Sequence, residues 1–279
     1  MPRTGLRISG GDAVVEYDIT GTGPGLVLVH GTGAGREQWL PLTEAVADRF
    51  TVVAPDCSGS GGTTDHGGPV TLADLADEVL AAANDAGLDT FHLVGHSLGA
   101  AIATHLAGTH PGRVRSLVLH AGWAHTDTRL DAEFRYWLDL LSADAAHGTS
   151  LFARMLPLTA FGPGYWARTD AAANEELVQG LTGMLAPGTA RQTETDRTVD
   201  LRPLLGRITA PTLVLASAHD RIIAPEQQQA LLAGIPKARY AEIDAGHGAP
   251  AEDPAGFAAR ITAFLDEQPT TPAETVTVH

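Results

Sequence analysis

The sequence predicts one α/β domain built on a doubly wound, mostly parallel sheet. Short apolar runs alternate with segments of helical spacing along most of the 279 residues, a pattern typical of repeated strand–helix units. Some runs, such as residues 25–29, are continuously apolar. Continuously apolar runs are typical of parallel strands, because helices cover both of their faces.

Seven strands and four helices follow from this pattern. The strand at 13–19 alternates in polarity, which favours a partly exposed position. The helix at 71–86 begins with Thr71 as its expected N-cap and has Asp74 three residues further on. The other predicted strands are 25–29, 51–54, 91–94, 115–120, 212–216 and 239–243, and the other helices are 100–107, 225–233 and 254–265.

Residues 123–207 interrupt the alternation. This segment contains only helical stretches, at 130–145, 151–156, 171–185 and 190–205, together with three of the four tryptophans. The strand at 212–216 resumes the sheet, so we expect a helical cap inserted into a core made of residues 1–122 and 208–267. Residues 268–279 are rich in proline and threonine and are predicted to be a disordered tail.

Composition narrows the function classes. A formal net charge of −15 argues against a nucleic-acid partner or an anionic membrane surface. Cys57 is the single cysteine, so no internal disulfide can form. No stretch is apolar for long enough to span a bilayer, and the first residues carry no apolar signal region. We expect a cytoplasmic enzyme with a small-molecule substrate; the oligomeric state stays open, a homodimer being one option.

The pentapeptide Gly95–Gly99, with Ser97 at its centre, is the most informative motif. It lies between a predicted strand and a predicted helix, which is the setting of a nucleophile elbow. The glycines allow a very tight turn, and the turn presents the serine hydroxyl near a helix N-terminus. His96 inside the motif is expected to pack beside the nucleophile rather than act as a base.

A nucleophilic serine requires a base and a carboxylate that orients the base. Asp220 follows the strand at 212–216, and His247 follows the strand at 239–243. The chain order Ser97, Asp220, His247 therefore predicts a catalytic triad beyond the carboxyl ends of the strands. Asp127, after the strand at 115–120, is the alternative carboxylate.

A glycine-rich loop, residues 30–35, follows the strand at 25–29. Its backbone can approach a substrate closely, so the N–H groups of Thr32 and Leu98 are predicted to form an oxyanion hole. The loop lacks the lysine of a P-loop and the full dinucleotide-binding spacing, which argues against a nucleotide. The twelve histidines are scattered without ligand spacing. No metal and no cofactor are expected.

These motifs together resemble the α/β-hydrolase superfamily, with matches from about Gly25 to Leu265. The resemblance rests on the loop at 30–35, the stretch 55–61, the elbow, the late Asp220 and the Gly-His pair at 246–247. It implies an eight-stranded sheet under a helical lid and a serine hydrolase with the triad Ser97–His247–Asp220. Two positions depart from the usual pattern: Ser58 stands where arginine is common, and Ala100 where a second glycine is common.

The resulting expectation is hydrolysis of an ester, lactone or thioester of a small to medium apolar substrate through an acyl-enzyme. A carbon–carbon bond hydrolase acting on a vinylogous diketone is one alternative. A non-hydrolytic binding protein or a cyclase of a biosynthetic pathway is the other. The residues predicted to line the substrate pocket are His30, Gly31, Trp123, His125, Trp137, Phe161 and Trp166.

Overall fold

The computed structural model describes residues 1–268 and contains a sheet of eight strands. The spatial order is β1-β2-β4-β3-β5-β6-β7-β8. The first two strands pair antiparallel, β2 pairs antiparallel with β4, and all further pairings are parallel. In chain order the strands are β1 (Arg3–Ile8), β2 (Gly11–Thr20), β3 (Gly25–Val29), β4 (Thr51–Pro55), β5 (Phe91–His96), β6 (Val114–His120), β7 (Thr212–Ser217) and β8 (Ala238–Ile243). The predicted doubly wound, mostly parallel sheet is confirmed.

Burial explains why the strands form where they do. Every residue of β3, β5 and β7 is buried, as expected for central strands covered on both faces. The strand β1 was not predicted from the sequence. It lies at the edge of the sheet, and its residues alternate between exposed and partly buried. A short edge strand of this kind contains too few apolar residues to stand out.

Twelve α-helices surround the sheet in the described part of the chain, and a short 3-10 helix spans Arg36–Trp39. They are α1 (Leu40–Val46), α2 (Leu72–Asp85), α3 (Leu98–Thr109), α4 (Thr128–His147), α5 (Leu151–Ala160), α6 (Pro163–Arg168), α7 (Ala171–Met184), α8 (Thr189–Asp196), α9 (Arg202–Leu205), α10 (Pro225–Gly234), α11 (Ala249–Glu252) and α12 (Pro254–Asp266).

The helices bury two apolar cores, one on each side of the sheet. Leu75 of α2 and Ile102 of α3 belong to the larger core, and Leu42 of α1 and Ile261 of α12 belong to the smaller one. The start of α2 agrees with its prediction. Thr71 accepts the Asp74 N–H at 3.1 Å, and Asp74 accepts the Thr71 N–H at 2.9 Å, which together form a capping box.

The helices α4 to α9 lie in the segment predicted to be a cap. The prediction of one helix over 190–205 is wrong, because α8 and α9 are separate helices. Between them the chain pairs with residues 124–126: the Thr126 N–H donates to Val199 O and the Leu201 N–H donates to Ala124 O. These bonds take backbone groups that a continuous helix would have used internally.

The predicted disordered tail lies outside the described residues apart from its first member. The Gln268 N–H donates to Leu265 O at 3.0 Å, and the Gln268 side chain donates to Phe264 O at 3.0 Å. These bonds satisfy two carbonyl groups at the C-terminal end of α12.

Candidate active site

Ser97 stands in a strained turn between β5 and α3. Its φ and ψ angles are 55° and −121°, in a region that non-glycine residues rarely occupy. The flanking glycines are required by space. A Cβ on Gly95 would lie 2.2 Å from Gly99 O, and a Cβ on Gly99 would lie 2.0 Å from Val29 O. The sharp turn predicted from the pentapeptide is therefore enforced by close backbone packing.

The structure brings Ser97, His247 and Asp220 together. His247 Nε2 lies 3.0 Å from Ser97 Oγ, and His247 Nδ1 lies 2.9 Å from Asp220 Oδ2. A carboxylate only accepts, so Nδ1 carries the proton and Nε2 is free to accept from the serine hydroxyl. The second Asp220 oxygen, Oδ1, accepts the N–H groups of Ile222 at 2.9 Å and Ile223 at 2.8 Å. The carboxylate is held by both oxygens.

The alternative carboxylate, Asp127, is occupied elsewhere. Its Oδ1 accepts the Leu130 N–H at 2.9 Å and caps α4, while its Oδ2 accepts the Gln227 amide at 2.9 Å. Asp220, and not Asp127, is the carboxylate that contacts His247.

The loop that carries His247 is fixed by Glu252. One carboxylate oxygen, Oε2, accepts the N–H of Gly246 at 2.7 Å and that of Gly162 at 2.9 Å. Gly162 belongs to the cap segment, so a single buried side chain ties the histidine loop to the cap. A charge-assisted pair of this kind is among the stronger hydrogen-bond arrangements.

The glycine-rich loop after β3 lies directly against the elbow. A Cβ on Gly31 would lie 3.2 Å from the Ser97 Cβ. The Gly31 N–H donates to Gln38 Oε1 at 3.3 Å, and the Gly33 N–H donates to Gln192 Oε1 at 2.8 Å. Within residues 1–268 the N–H groups of Thr32 and Leu98 have no acceptor. Thr32 lines the cavity above Ser97 and Leu98 is buried directly after it in the chain, and their oxyanion role stays a prediction.

A stacked pair of histidines lies beside the candidate base, and the ring centroid of one of them, His96, is 5.1 Å from that of His247. The His96 and His120 rings stack with centroids 4.9 Å apart, and their Nδ1 atoms are 2.8 Å apart. One Nδ1 must donate and the other accept, so the accepting ring is neutral. Burial lowers the pKa of His120 to about 3 and that of His96 well below the usual value. Neutral rings beside His247 do not oppose a positive charge on it.

A cavity of about 810 Å³ opens above Ser97. Its wall is mostly apolar, and Glu37 is the carboxylate on it. No lysine or arginine lines the cavity in the described part of the chain. The apolar lining comes mainly from the cap, through Trp137, Phe152, Leu156, Phe161, Leu181 and Leu185, with Ile222 added from the loop after β7.

The predicted pocket residues divide into two groups. Gly31, Trp137 and Phe161 line the cavity, whereas His30, Trp123, His125 and Trp166 do not. His30 lies beneath the glycine-rich loop, where its Nε2 accepts the Cys57 N–H at 3.0 Å.

The other three residues make contacts away from the cavity. Trp123 packs on Phe134 with ring centroids 5.9 Å apart. The His125 backbone N–H donates to Gln227 at 3.4 Å, and Trp166 packs edge-on against Tyr165. Aromatic residues in a small helical cap form its own core as readily as they line a pocket, and the sequence does not separate the two roles.

Sequence reasoning missed the residues of α8 that reach the site. Gln192 and Asp196 are buried to within 1% of their surface, although their helix is almost entirely polar. A polar helix is typical of an exposed surface. What indicates that this helix is buried is the set of hydrogen-bond partners of its side chains. Those partners can be identified only once the fold is known.

Residues 1–268 contain neither a candidate metal site nor a candidate membrane-spanning helix. No group of three or more His, Cys, Asp or Glu side chains is placed to hold a metal ion. Within the same residues, none of the helices has the length and apolarity needed to cross a membrane.

Comparison with known proteins identifies the family to which this architecture belongs. The sequence profile described as the alpha/beta hydrolase fold matches residues 24–254. This chain belongs to the alpha/beta hydrolase fold family. A solved relative in this family, a thermophilic esterase from Thermogutta terrifontis, has a TM-score of 0.83 at 26% identity and covers 95% of this chain and 98% of its own. An enol-lactonase from Burkholderia xenovorans LB400 has a TM-score of 0.81 at 25% identity, with coverage of 95% and 100%.

Curated alpha/beta hydrolase relatives are similar over nearly the whole chain. Pyrrolizixenacetamide deacetylase of Xenorhabdus hominickii is 37% identical over 93% of this chain and 97% of its own length. A protein of Azorhizobium caulinodans assigned the name carbamate hydrolase RutD is 35% identical, with coverage of 92% and 97%. Both relatives bear names of hydrolytic enzymes.

Proposed function

We propose that this alpha/beta hydrolase is a serine hydrolase that cleaves an ester, lactone or thioester of a small to medium apolar substrate through an acyl-enzyme. The observation that carries the proposal is the continuous hydrogen-bonded chain from Ser97 through His247 to Asp220 at the floor of an apolar cavity. A nucleophile, a base and an orienting carboxylate in contact form the machinery of acyl transfer.

The reaction begins when Ser97 Oγ attacks the substrate carbonyl carbon. His247 Nε2 accepts the hydroxyl proton, and Asp220 stabilises the imidazolium that results. The carbonyl oxygen becomes an oxyanion, which the N–H groups of Thr32 and Leu98 bind. His247 then returns its proton to the leaving group as the carbon–oxygen or carbon–sulfur bond breaks, leaving Ser97 acylated.

The second half repeats the first with water as nucleophile. His247 accepts a proton from water as its oxygen attacks the acyl carbon, and the collapse of the intermediate returns Ser97 with a proton from His247. The rings of His96 and His120 support the candidate base without adding charge, because both are held neutral. The apolar cavity wall favours a neutral, largely hydrocarbon acyl or leaving group.

Amide cleavage is the second candidate, and the deacetylase relative at 37% identity favours it. The same residues would serve, since His247 can protonate a departing amine as it does an alkoxide. Amines leave less readily than alkoxides, so an enzyme built for esters would hydrolyse a matched amide far more slowly.

Matched substrate pairs test the proposal. The purified protein is assayed with esters, thioesters, lactones and acetamides that share one acyl group, beside a vinylogous diketone. Ser97→Ala is the control, and a fluorophosphonate probe followed by peptide mass spectrometry reports labelling of Ser97. Ester or thioester turnover that disappears in Ser97→Ala supports the proposal. Folded protein without labelling and without turnover would overturn it in favour of a non-hydrolytic role.

A further inference from the structure

The cap helix α8 contacts the glycine-rich loop through buried polar side chains. Gln192 is fully buried, with 0% of its surface exposed, and Asp196 has 1% exposed. Buried polar groups are costly unless each finds a partner, so their contacts define what the helix is built to hold.

Gln192 uses its whole amide. Its Oε1 accepts the Gly33 N–H at 2.8 Å, and its Nε2 donates to Ser58 O at 3.0 Å and to Ser60 Oγ at 2.9 Å. Ser58 O can only accept and the Gly33 N–H can only donate, so the amide has one orientation that satisfies both. The side chain is a fixed bridge between the two loops that follow β3 and β4.

Asp196 forms the second contact. Its Oδ2 accepts the Thr32 hydroxyl at 2.7 Å, whereas its buried Oδ1 has no hydrogen-bond partner among the described residues. Burial raises the pKa of this carboxyl well above its usual value, which favours the neutral form. A pKa shift in this direction reduces the negative charge that the carboxyl places beside Thr32.

The backbone of the cap adds to the same contact. The Ala186 N–H donates to Gly33 O at 3.2 Å, and the Gly188 N–H donates to Gly59 O at 2.9 Å. Gly33 has a φ of 72°, in the left-handed region that glycine enters freely. A glycine-rich loop is conformationally free on its own, so its shape depends on what holds it.

Three successive N–H groups of the glycine-rich loop differ in whether they have an acceptor. The Gly31 N–H is taken by Gln38 and the Gly33 N–H by Gln192, while the Thr32 N–H between them has no acceptor in residues 1–268. Fixing the peptides on either side leaves the Thr32 N–H as the unpaired donor of a residue that lines the cavity. We propose that Gln192, assisted by Asp196, is a positioning residue that holds the oxyanion hole in shape from the cap.

This inference rests on the proposed function and adds a residue that acts on catalysis without touching substrate. The oxyanion hole becomes a composite of core and cap: both donors belong to the core, and α8 holds the loop that carries one of them, Thr32. Replacing Gln192 should weaken binding of the tetrahedral state more than binding of the substrate.

The test compares two buried glutamines that both tie cap to core. Gln192→Met removes three bonds at similar side-chain length, one to the glycine-rich loop and two to the loop after β4. Gln227→Met is the matched control, because Gln227 also makes three bonds, to the N–H groups of Ala124 and His125 and to Asp127, away from that loop. Each variant is titrated with a trifluoromethyl ketone, which forms a tetrahedral adduct with an oxyanion, and with the corresponding carboxylic acid product.

For Gln192→Met we expect affinity for the ketone and kcat to fall by about tenfold or more, with KM and product affinity within about twofold. For Gln227→Met all four quantities should stay within about twofold. If Gln192→Met does not fold, Thr32→Val tests the contact between α8 and the glycine-rich loop by removing the bond from the Thr32 hydroxyl to Asp196. We expect the same loss of ketone affinity and kcat, with KM and product affinity little changed.

Retained ketone affinity in a folded Gln192→Met or Thr32→Val variant would overturn the inference, as would an equal loss in Gln227→Met. Failure of the proposed function has a different signature. It would be seen in the unmodified protein, as absent fluorophosphonate labelling of Ser97, and it would overturn both proposals together.

Discussion

Ser58 donates to Glu78 twice, at the position where related hydrolases commonly have an arginine. The Ser58 N–H lies 2.8 Å from Glu78 Oε2, and the Ser58 hydroxyl donates to Oε1. Both residues are fully buried. No arginine side chain bonds to this carboxylate in the part of the chain described, so a buried acid is held by hydrogen bonds from a neutral partner.

This arrangement predicts a pH-dependent stability. Burial raises the pKa of Glu78 from 4.5 to about 7, although the two Ser58 bonds oppose the shift. Between pH 4.5 and 7 the unfolded chain loses this proton while the folded protein keeps it, so Glu78 lowers the free energy of unfolding as pH rises. Relative to Glu78→Gln, the wild-type protein should lose roughly 3 kcal/mol over that range.

Urea unfolding at pH 5 and pH 8 measures the effect. Asp77→Asn is the control, since Asp77 is the exposed acid next to Glu78 in the chain. An unchanged pH slope in Glu78→Gln, or the same change in Asp77→Asn, would contradict the assignment.

The two candidate carboxylates can be separated by activity. Asp220→Asn should lower kcat by about 10⁴-fold, because the amide would favour the wrong tautomer of His247. Asp127→Asn should leave kcat within about twofold, since asparagine also caps helices well. Steady-state kinetics on one ester, with circular dichroism to verify folding, decides between them; comparable losses in both variants would exclude the assignment of Asp220.

The position of Glu37 on the cavity wall predicts that substrates are selected by their charge. It is the carboxylate on a cavity wall that has no lysine or arginine among the described residues. Substrates with a free carboxylate should therefore be poorer than their neutral methyl esters. Glu37→Gln should raise kcat/KM for the anionic substrate by about fivefold at low salt and leave the neutral one unchanged.

The control for this prediction is Glu44→Gln. Glu44 is an exposed acid on α1 that does not line the cavity. An equal gain in Glu44→Gln would assign the effect to net charge instead of to the cavity wall, and no gain in Glu37→Gln would remove Glu37 from substrate selection.

Close packing between cap and core predicts a difference between two glycines. A Cβ on Gly188 would lie 2.2 Å from the Gly59 Cα, whereas a Cβ on Gly206 meets nothing within 4 Å. Gly188→Ala should lower the free energy of unfolding by about 1–3 kcal/mol, because backbone must move. Gly206→Ala should be neutral or stabilise by about 0.5 kcal/mol. Thermal unfolding of the two variants side by side measures the difference, and equal melting temperatures would contradict this view of the contact.

Residues whose positions follow from backbone rules could be predicted from the sequence. The elbow needs glycines on both sides of Ser97, and polar residues that follow parallel strands must meet at one edge of the sheet. These two rules place Ser97, Asp220 and His247 without any knowledge of packing.

The cap residues could not be predicted in the same way. Trp123 and Trp137 look alike in the sequence, yet only Trp137 lines the cavity. Gln192 and Asp196 belong to a helix whose polarity indicates an exposed surface, while their partners lie more than 130 residues away along the chain. Such roles depend on tertiary contacts, which local patterns do not contain.

The pairing of residues 124–126 with 199–201 brings two distant parts of the cap segment side by side. An insertion whose ends are adjacent can be exchanged between enzymes without stretching the sheet that carries it. The contacts of α8 limit where such a graft can be cut. Residues 127–187 hold most of the apolar cavity wall, so exchanging them should change specificity, provided that the bonds of the Gly162 and Ala186 N–H groups are kept. A graft that also removes 188–199 should lose the contacts of α8 with the glycine-rich loop.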